Sequence, residues 1–237
     1  MSRLRRMVDH QRTVSDLLLS CGKEGWRSST PNLVSTPNNT SRDTDGMRLL
    51  SDFCTDWLDT LLLIVEGKAR TLSKKGPASI AILILNNCGY IQTIINRSNL
   101  ENLIGPVGMS KLEKVRNRAV DQFLEPWKLL SQQLLDVTYI QNKSTRTSMS
   151  SKEKDVIKDK FKKFNSDFET LVDHQRSFTI PDREIRELLL NEITRVVLPL
   201  YQRFYDKYAN SEFAKNPSKY VKYNKLQLSE ILSSLST

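Results

Sequence analysis

Between Ile157 and Leu171 five apolar residues, Ile157, Phe161, Phe164, Phe168 and Leu171, recur at steps of four, three, four and three. That spacing lines them along one side of an α-helix, whereas on a strand they would scatter over both faces. A helix carrying three phenylalanines on one line must lay that line against other apolar groups. The same period appears elsewhere. Leu50, Phe53, Trp57, Leu61 and Ile64 predict one amphipathic helix, and Leu112, Val115, Ala119, Phe123, Trp127, Leu130 and Leu134 predict another. A third helix face is expected from Ile185, Leu189, Ile193, Val196, Leu200, Phe204 and Tyr208.

The remaining segments fit the pattern. Ala78 to Asn96 opens as a continuous apolar run that alone could be a strand, but its continuation through Tyr90, Ile91, Ile94 and Ile95 favours a buried helix. Leu4, Met7, Val14, Leu17 and Leu18 suggest a short amphipathic helix in the first 22 residues, and Leu226, Leu228, Ile231 and Leu232 suggest one at the end. Gly76-Pro77, Gly105-Pro106 and Asn216-Pro217 read as breaks, and Pro126 as a kink. Ile180-Pro181-Asp182 reads as a helix start, with Pro at the first helical position and acids in the first turn. Ser28 to Asp45 and Asn142 to Ser151 are polar gaps. Eight glycines and eight prolines in 237 residues are too few for a β-sandwich or barrel, which needs a turn residue about every 8 to 12 positions.

These elements predict an all-α fold, an elongated stack of antiparallel helical bundles without a sequence repeat of fixed period. A hydrophobic content of 38% suits an elongated packing, which leaves much surface in water. The domain reading divides the chain into residues 1–45, an N-terminal helix and polar linker of open fold, and residues 46–237, the helical bundles. The longest continuous apolar runs, Ile80 to Leu85 and Leu61 to Val65, fall short of the 18 or so residues of a membrane span. Asp9 and Asp16 argue against a mitochondrial presequence. Cys21, Cys54 and Cys88 form no Cys-x-x-Cys pair, so neither a disulfide framework nor a zinc site is indicated, and a cytoplasmic setting is expected.

The sequence offers little catalytic chemistry. His10 and His174 are its two histidines, and His174 sits near an expected helix end, where a capping or surface role is the plain reading. Gly67-Lys68 lacks the upstream glycine of a phosphate-cradling loop, and no Gly-x-Ser-x-Gly elbow is present. The expectation is a protein that is not an enzyme and takes no cofactor or metal.

Charge carries more information. The net charge of +9 is concentrated in four places. Lys68, Arg70, Lys74 and Lys75 follow one helix, and Lys111, Lys114, Arg116 and Arg118 open another. Six lysines against three acids lie between Lys152 and Lys163, and five lysines against one acid between Lys207 and Lys225. In the last of these, Lys215, Lys219, Lys222 and Lys225 interleave with Tyr220 and Tyr223 beside the Asn216-Pro217 break. A basic, aromatic segment of this kind can dock on anionic headgroups, at roughly 1 kcal/mol per lysine near the surface. It can equally be a solvated capping loop whose tyrosines pin it to the bundle. Nucleic acid is the weaker partner, because the aromatics fall on helix stripes and form no stacking platform.

The ordered motifs Phe161-Lys-Lys-Phe164-Asn165, His174-Gln175-Arg-Ser-Phe178-Thr-Ile180-Pro181-Asp182, Leu198-Pro199-Leu-Tyr201-Gln-Arg203-Phe204 and Lys215-Asn-Pro-Ser-Lys219-Tyr220-Val-Lys222-Tyr223 resemble the C-terminal region of the exocyst's seventy-kilodalton subunit, the Exo-seventy family. Arg186-Glu187-Leu188 and Leu85-Asn86-Asn87-Cys-Gly-Tyr90-Ile91 resemble it too, so that the likeness runs from about residue 45 to the C-terminus. The resemblance implies a rod of stacked helical bundles within a tether that holds secretory vesicles at the plasma membrane. It implies binding of phosphatidylinositol 4,5-bisphosphate through Lys158, Lys219 and Lys222, to which the charge pattern adds Lys215 and Lys225. The implied partners are other exocyst subunits, the phosphoinositide-bearing membrane and a Rho-type GTPase. The implied location is the inner face of the plasma membrane at sites of polarised growth such as a bud or cell tip. A helical scaffold that meets tether subunits or a GTPase without lipid is the alternative. Family members are much longer, so 237 residues read as a C-terminal portion, either a fragment or a short paralogue.

Overall fold

Capping fixes where the helices start. Ser150 stands before the phenylalanine seam and accepts a hydrogen bond from the Glu153 amide at 3.3 Å, while its own amide donates to the Glu153 carboxylate at 2.7 Å. This reciprocal pair satisfies two of the amides that every helix N-terminus leaves unbonded, and it opens helix α6, Ser151–Arg176. Asp182 caps helix α7, Arg183–Tyr208, by accepting from the amides of Glu184 and Ile185. Pro181 therefore precedes the cap instead of occupying the first helical position. Asn224 and Gln227 form a second reciprocal pair that opens helix α8, Lys225–Ser234.

The computed structural model describes residues 2–21, 39–72, 76–135 and 149–235, without side chains for 2–5 and 39–44. Besides α6, α7 and α8 it contains α1 (Ser2–Asp9), α2 (Gln11–Ser20), α3 (Asn39–Leu72), α4 (Pro77–Arg97) and α5 (Glu101–Gln132). No strand occurs among the described residues, so the fold is all-α. The expected first helix is two, broken at His10, and the polar stretch expected to run to Asp45 is already helical from Asn39. Residues 28–38 and 142–148 of the two polar gaps lie outside the described residues. Gly105, at φ 66° and ψ 179°, breaks α5 after its first turn, a backbone that an L-residue resists and that Pro106 then re-enters as helix. α5 runs on through Pro126 and α7 through Pro199.

The chain divides into two compact units. The first consists of Met1–Gly76 with Leu83–Ala119. In it α2 packs on α3, so closely that a Cβ on Gly46 would stand 2.9 Å from Leu19 Cδ1. Thr55 on α3 donates to the carbonyl of Ile104 at 3.0 Å, satisfying a group that the Gly105 break frees. Lys111 pairs with Asp59, and Arg118 with Glu66 at 3.1 Å, tying α5 to α3. Cys54 and Cys88 are buried here, and burial pushes both thiols up to about 11, so they are inert apolar fillers.

The second unit consists of Pro77–Ile82 with Val120–Thr237. Its core is aromatic. Phe164 stacks on Tyr201 at 4.8 Å and on Phe168 at 5.6 Å, and Phe161 meets Phe204 at 4.8 Å. Trp127 and Phe123 on α5 approach Phe168 and Phe178 edge-on, each at 6.3 Å.

The stripes drift from the sequence expectation in an informative way. α6 buries Ile157, Phe161, Phe164, Phe168, Val172 and Gln175, so Val172 replaces Leu171 in the seam. α7 buries Val197 and Tyr201 where Val196 and Leu200 were expected. α3 buries Leu50, Cys54, Leu58 and Leu62, leaves Phe53, Trp57 and Leu61 half-buried, and exposes Ile64. A strict seven-residue step lags a straight 3.6-residue helix by about 20° per heptad, so the burial line moves one residue on. Leu17, Tyr90 and Leu226, apolar members of the expected helices, are exposed. The α5 stripe from Leu112 to Leu134 is buried throughout, as expected. α4 is long and apolar enough by composition to cross a membrane, but Ala81, Leu85, Cys88, Ile91 and Ile95 are buried within the protein.

Phe164→Ala should test how far the aromatic core carries the second unit. The substitution should cost about 3–5 kcal/mol, read by chemical denaturation followed by circular dichroism. Phe164→Leu should cost markedly less.

Candidate functional site

The basic segment after α7 is held by its aromatics. Asn216-Pro217 stops the chain, and Pro217–Lys219 makes one 3₁₀ turn that ends at Tyr220. Ahead of the turn, Phe213 is fully buried against Phe161 at 5.6 Å and Tyr220 at 6.0 Å. Asn165 on α6 donates to the Tyr220 carbonyl at 2.7 Å, and the buried Tyr201 hydroxyl donates to the Tyr223 carbonyl at 2.6 Å. Burial holds the Tyr201 phenol well above its ordinary pKa, so it stays a donor. Tyr223 sits edge-on to Phe168 at 5.6 Å and donates its hydroxyl to Glu169 at 2.7 Å. The tyrosines thus pin the segment, and the intervening lysines point outward.

The five lysines singled out from the sequence do not share one environment. Lys215 and Lys219 are exposed, and neither has an ion-pair partner among the described residues. Lys222 pairs with Glu169, which lowers the Glu169 carboxyl below its ordinary value; the Tyr223 hydroxyl lowers it further. The same bond raises the Lys222 ammonium. Lys225 pairs with Asp206 on α7 at 2.5 Å and lies 5.9 Å from the Tyr205 ring centre. Lys158 pairs with Asp155 at 2.8 Å, and this bond raises its pKa, with the Tyr220 phenol as a smaller contributor.

Tyr220 is the meeting point. Lys219 precedes it in the chain, and the Lys162 ammonium stands 5.4 Å from its ring centre. Lys162 is exposed and has no carboxylate partner among the described residues. The charge pattern alone does not single it out, although it lies one helical turn after Lys158. Lys160 is turned the other way, donating to the Leu135 carbonyl at 2.6 Å and lying 5.7 Å from the Phe204 ring centre. Of the remaining basic places, Lys111 and Arg118 are paired in the first unit, Lys68 and Arg70 are exposed, and Lys74 and Lys75 lie outside the described residues. His174 packs its ring against Phe178 at 4.7 Å in the last turn of α6. Among the described residues no three His, Cys, Asp or Glu side chains come together as a metal site.

A helical-bundle protein with a lysine-rich segment clamped on an aromatic seam is the class this arrangement defines. The chain belongs to the Exo70 family: the family model for the C-terminal part of the Exo70 exocyst complex subunit matches residues 1–234. That match begins at residue 1, and so reaches further towards the N-terminus than the resemblance drawn from motifs. The exocyst complex protein EXO70 of Yarrowia lipolytica is 34% identical over 99% of this chain, and exo70 of Schizosaccharomyces pombe is 33% identical over 99%. A solved structure of Saccharomyces cerevisiae Exo70 superposes with a TM-score of 0.74 at 28% identity, over all of this chain and 45% of that one. The chain spans 39% of the Yarrowia relative and 37% of the Schizosaccharomyces relative.

The shared Glu169 carboxylate gives a direct check on this geometry. A carboxyl depressed on folding contributes stability above its unfolded pKa, and that contribution is lost as the pH falls through the lowered folded value. Removing the ammonium with Lys222→Met should therefore move the Glu169 midpoint up towards the ordinary glutamate value, followed by NMR titration. Tyr223→Phe should move it in the same direction by less.

Proposed function

We propose that this chain is the membrane-docking, C-terminal portion of an exocyst subunit, acting in the tethering of secretory vesicles at the inner face of the plasma membrane. In this reading it is a non-enzymatic part. It binds phosphatidylinositol 4,5-bisphosphate through Lys158, Lys215, Lys219, Lys222 and Lys225, with Lys162 added by its place beside Tyr220. Sites of polarised growth are the expected location. The observation that carries the reading is the pairing of a rigidly pinned backbone with exposed, uncommitted ammonium groups at Lys215, Lys219 and Lys162. Rigid placement spares the ordering cost that a flexible basic tail would incur on binding. Ion pairs at the surface contribute about 0–1 kcal/mol, so a phosphate can exchange with Glu169 or Asp155 as the partner of Lys222 or Lys158.

The ion pairs decide which substitutions test the proposal cleanly. Reversing Lys222 would set two carboxylates against each other at Glu169, mixing a folding defect with a binding defect. Lys215→Glu with Lys219→Glu avoids this. The double variant should lose at least about tenfold in affinity for phosphatidylcholine vesicles carrying the bisphosphate, at about 1 kcal/mol per lysine, with an unchanged circular dichroism spectrum. Undiminished sedimentation would overturn the lipid assignment. Lys162→Glu should lose about fivefold on the same vesicles, by the same per-lysine contribution. Glu169→Gln, which frees Lys222, should strengthen binding by up to about fivefold, the upper end for a surface pair.

The second reading is a protein-interaction scaffold that contacts other exocyst subunits or a Rho-type GTPase through acidic helices. Three of the five lysines already rest on carboxylates of this chain, the same contacts an acidic partner helix would offer. Under that reading the lysine variants lose exocyst subunits in pull-downs, and bisphosphate vesicles do not compete for them.

A further inference from the structure

The second unit holds a cavity of about 570 Å³ where the α6–α7 connection meets the end of α8. The basic segment makes no use of the His174-to-Asp182 stretch, yet that stretch supplies half of the cavity wall. Gln175 lines it from the end of α6, Phe178 and Ile180 from the connection, Leu190 from α7 and Leu235 from the end of α8. Arg176 and Arg186 stand at its edge. The volume lies within the range of about 300–1,000 Å³ that small-molecule sites occupy.

Its polar groups are unequally employed. Gln175 is 9% exposed and lines the cavity, so its side-chain amide is open to a polar group placed there. Arg186 uses one terminal nitrogen, Nη1, on the carbonyls of Ile180 and Pro181, leaving Nε and Nη2 to donate elsewhere. Arg176 holds Asp173 loosely, at 3.9 Å. Of the acids close to Arg186 in sequence, Asp182 is committed to capping α7 and Glu187 pairs with Arg183 at 2.6 Å. Two guanidinium groups and an amide donor above an apolar floor select for an anion with an apolar body.

We infer that this cavity is a binding site for an amphiphilic monoanion, a carboxylate- or sulfonate-bearing molecule with an acyl chain or aromatic body, separate from the lysine surface. The headgroup lies between Arg176, Arg186 and the Gln175 amide, and the apolar body lies against Phe178, Ile180 and Leu190.

The test uses 1-anilinonaphthalene-8-sulfonate as the anionic probe, its neutral analogue N-phenyl-1-naphthylamine, and decanoate as competitor, read by fluorescence titration of the whole chain. The wild type should bind one sulfonate probe saturably and release it to decanoate. Leu190→Trp, which fills the cavity, should abolish binding. Arg176→Gln, at an exposed position that leaves the core untouched, should weaken it about tenfold, and Gln175→Leu should weaken it also. Lys215→Glu with Lys219→Glu should leave it unchanged. Absence of saturable binding to the wild type overturns the proposal, as does binding that survives Leu190→Trp in a protein with native circular dichroism. Equal affinity for the neutral analogue, or loss of binding in the lysine double variant, overturns the anion assignment and the separateness of the site respectively.

Discussion

Stacking along α6 is the interaction on which the second unit depends. Phe161, Phe164 and Phe168 lie on one side of that helix, and each meets an aromatic ring from elsewhere in the unit: Phe204 and Phe213, Tyr201, and Trp127 and Tyr223. Rings placed edge-on or offset contribute about 0.5–1.5 kcal/mol per pair beyond the area they bury. They also do something that aliphatic packing would not. Tyr201 and Tyr223 each carry a hydroxyl to the rim of the seam, where it bonds a backbone carbonyl or a carboxylate. The apolar core and the polar anchoring of the basic segment are therefore built from the same side chains.

That coupling accounts for a segment with a 3₁₀ turn, a proline break and several lysines being held in one conformation. A loop of this composition has little of its own to bury and would stay open if only its lysines met the surface. Phe213 in the core and Tyr220 against it fix one end, and the hydrogen bonds that Tyr223 accepts from Tyr201 and donates to Glu169 fix the other. The ammonium groups in between are then displayed without having to be ordered by a partner.

Much of the helical architecture was legible in the sequence because period and breakers are local properties. The α5 stripe, the Gly105-Pro106 break and the final helix could all be read from neighbouring residues. The phase errors on α3 and α6 share one origin, the preference for large residues at heptad steps over the true helical angle. On α6 this selected Leu171 although Val172 lies on the burial line, and on α3 it selected Trp57 over the smaller Leu58. The lysine-rich segment was legible as a place but not as a set of environments. Glu169 and Lys222 are 53 positions apart, and nothing local to either announces the other. Lys162 is the opposite case: its position one turn from Lys158 was open to view, but its significance depends on Tyr220, which only the fold brings to α6.

Formal charge and available charge consequently diverge. The segment from Lys207 to Lys225 carries four net positive charges by composition, but Lys222 and Lys225 take their counter-charges from Glu169 and Asp206. Lys215 and Lys219 from this segment and Lys162 from α6 face solvent without a carboxylate among the described residues, close in number to the phosphates of one polyphosphorylated headgroup. Exposed pairs such as Lys222 with Glu169 are weak enough to exchange, so they set the order in which lysines engage more than the final number. A surface arranged this way binds a diffuse negative charge poorly, since salt screens it over a Debye length of about 8 Å at physiological ionic strength. It gains most from a ligand that concentrates several negative charges within that distance of Tyr220.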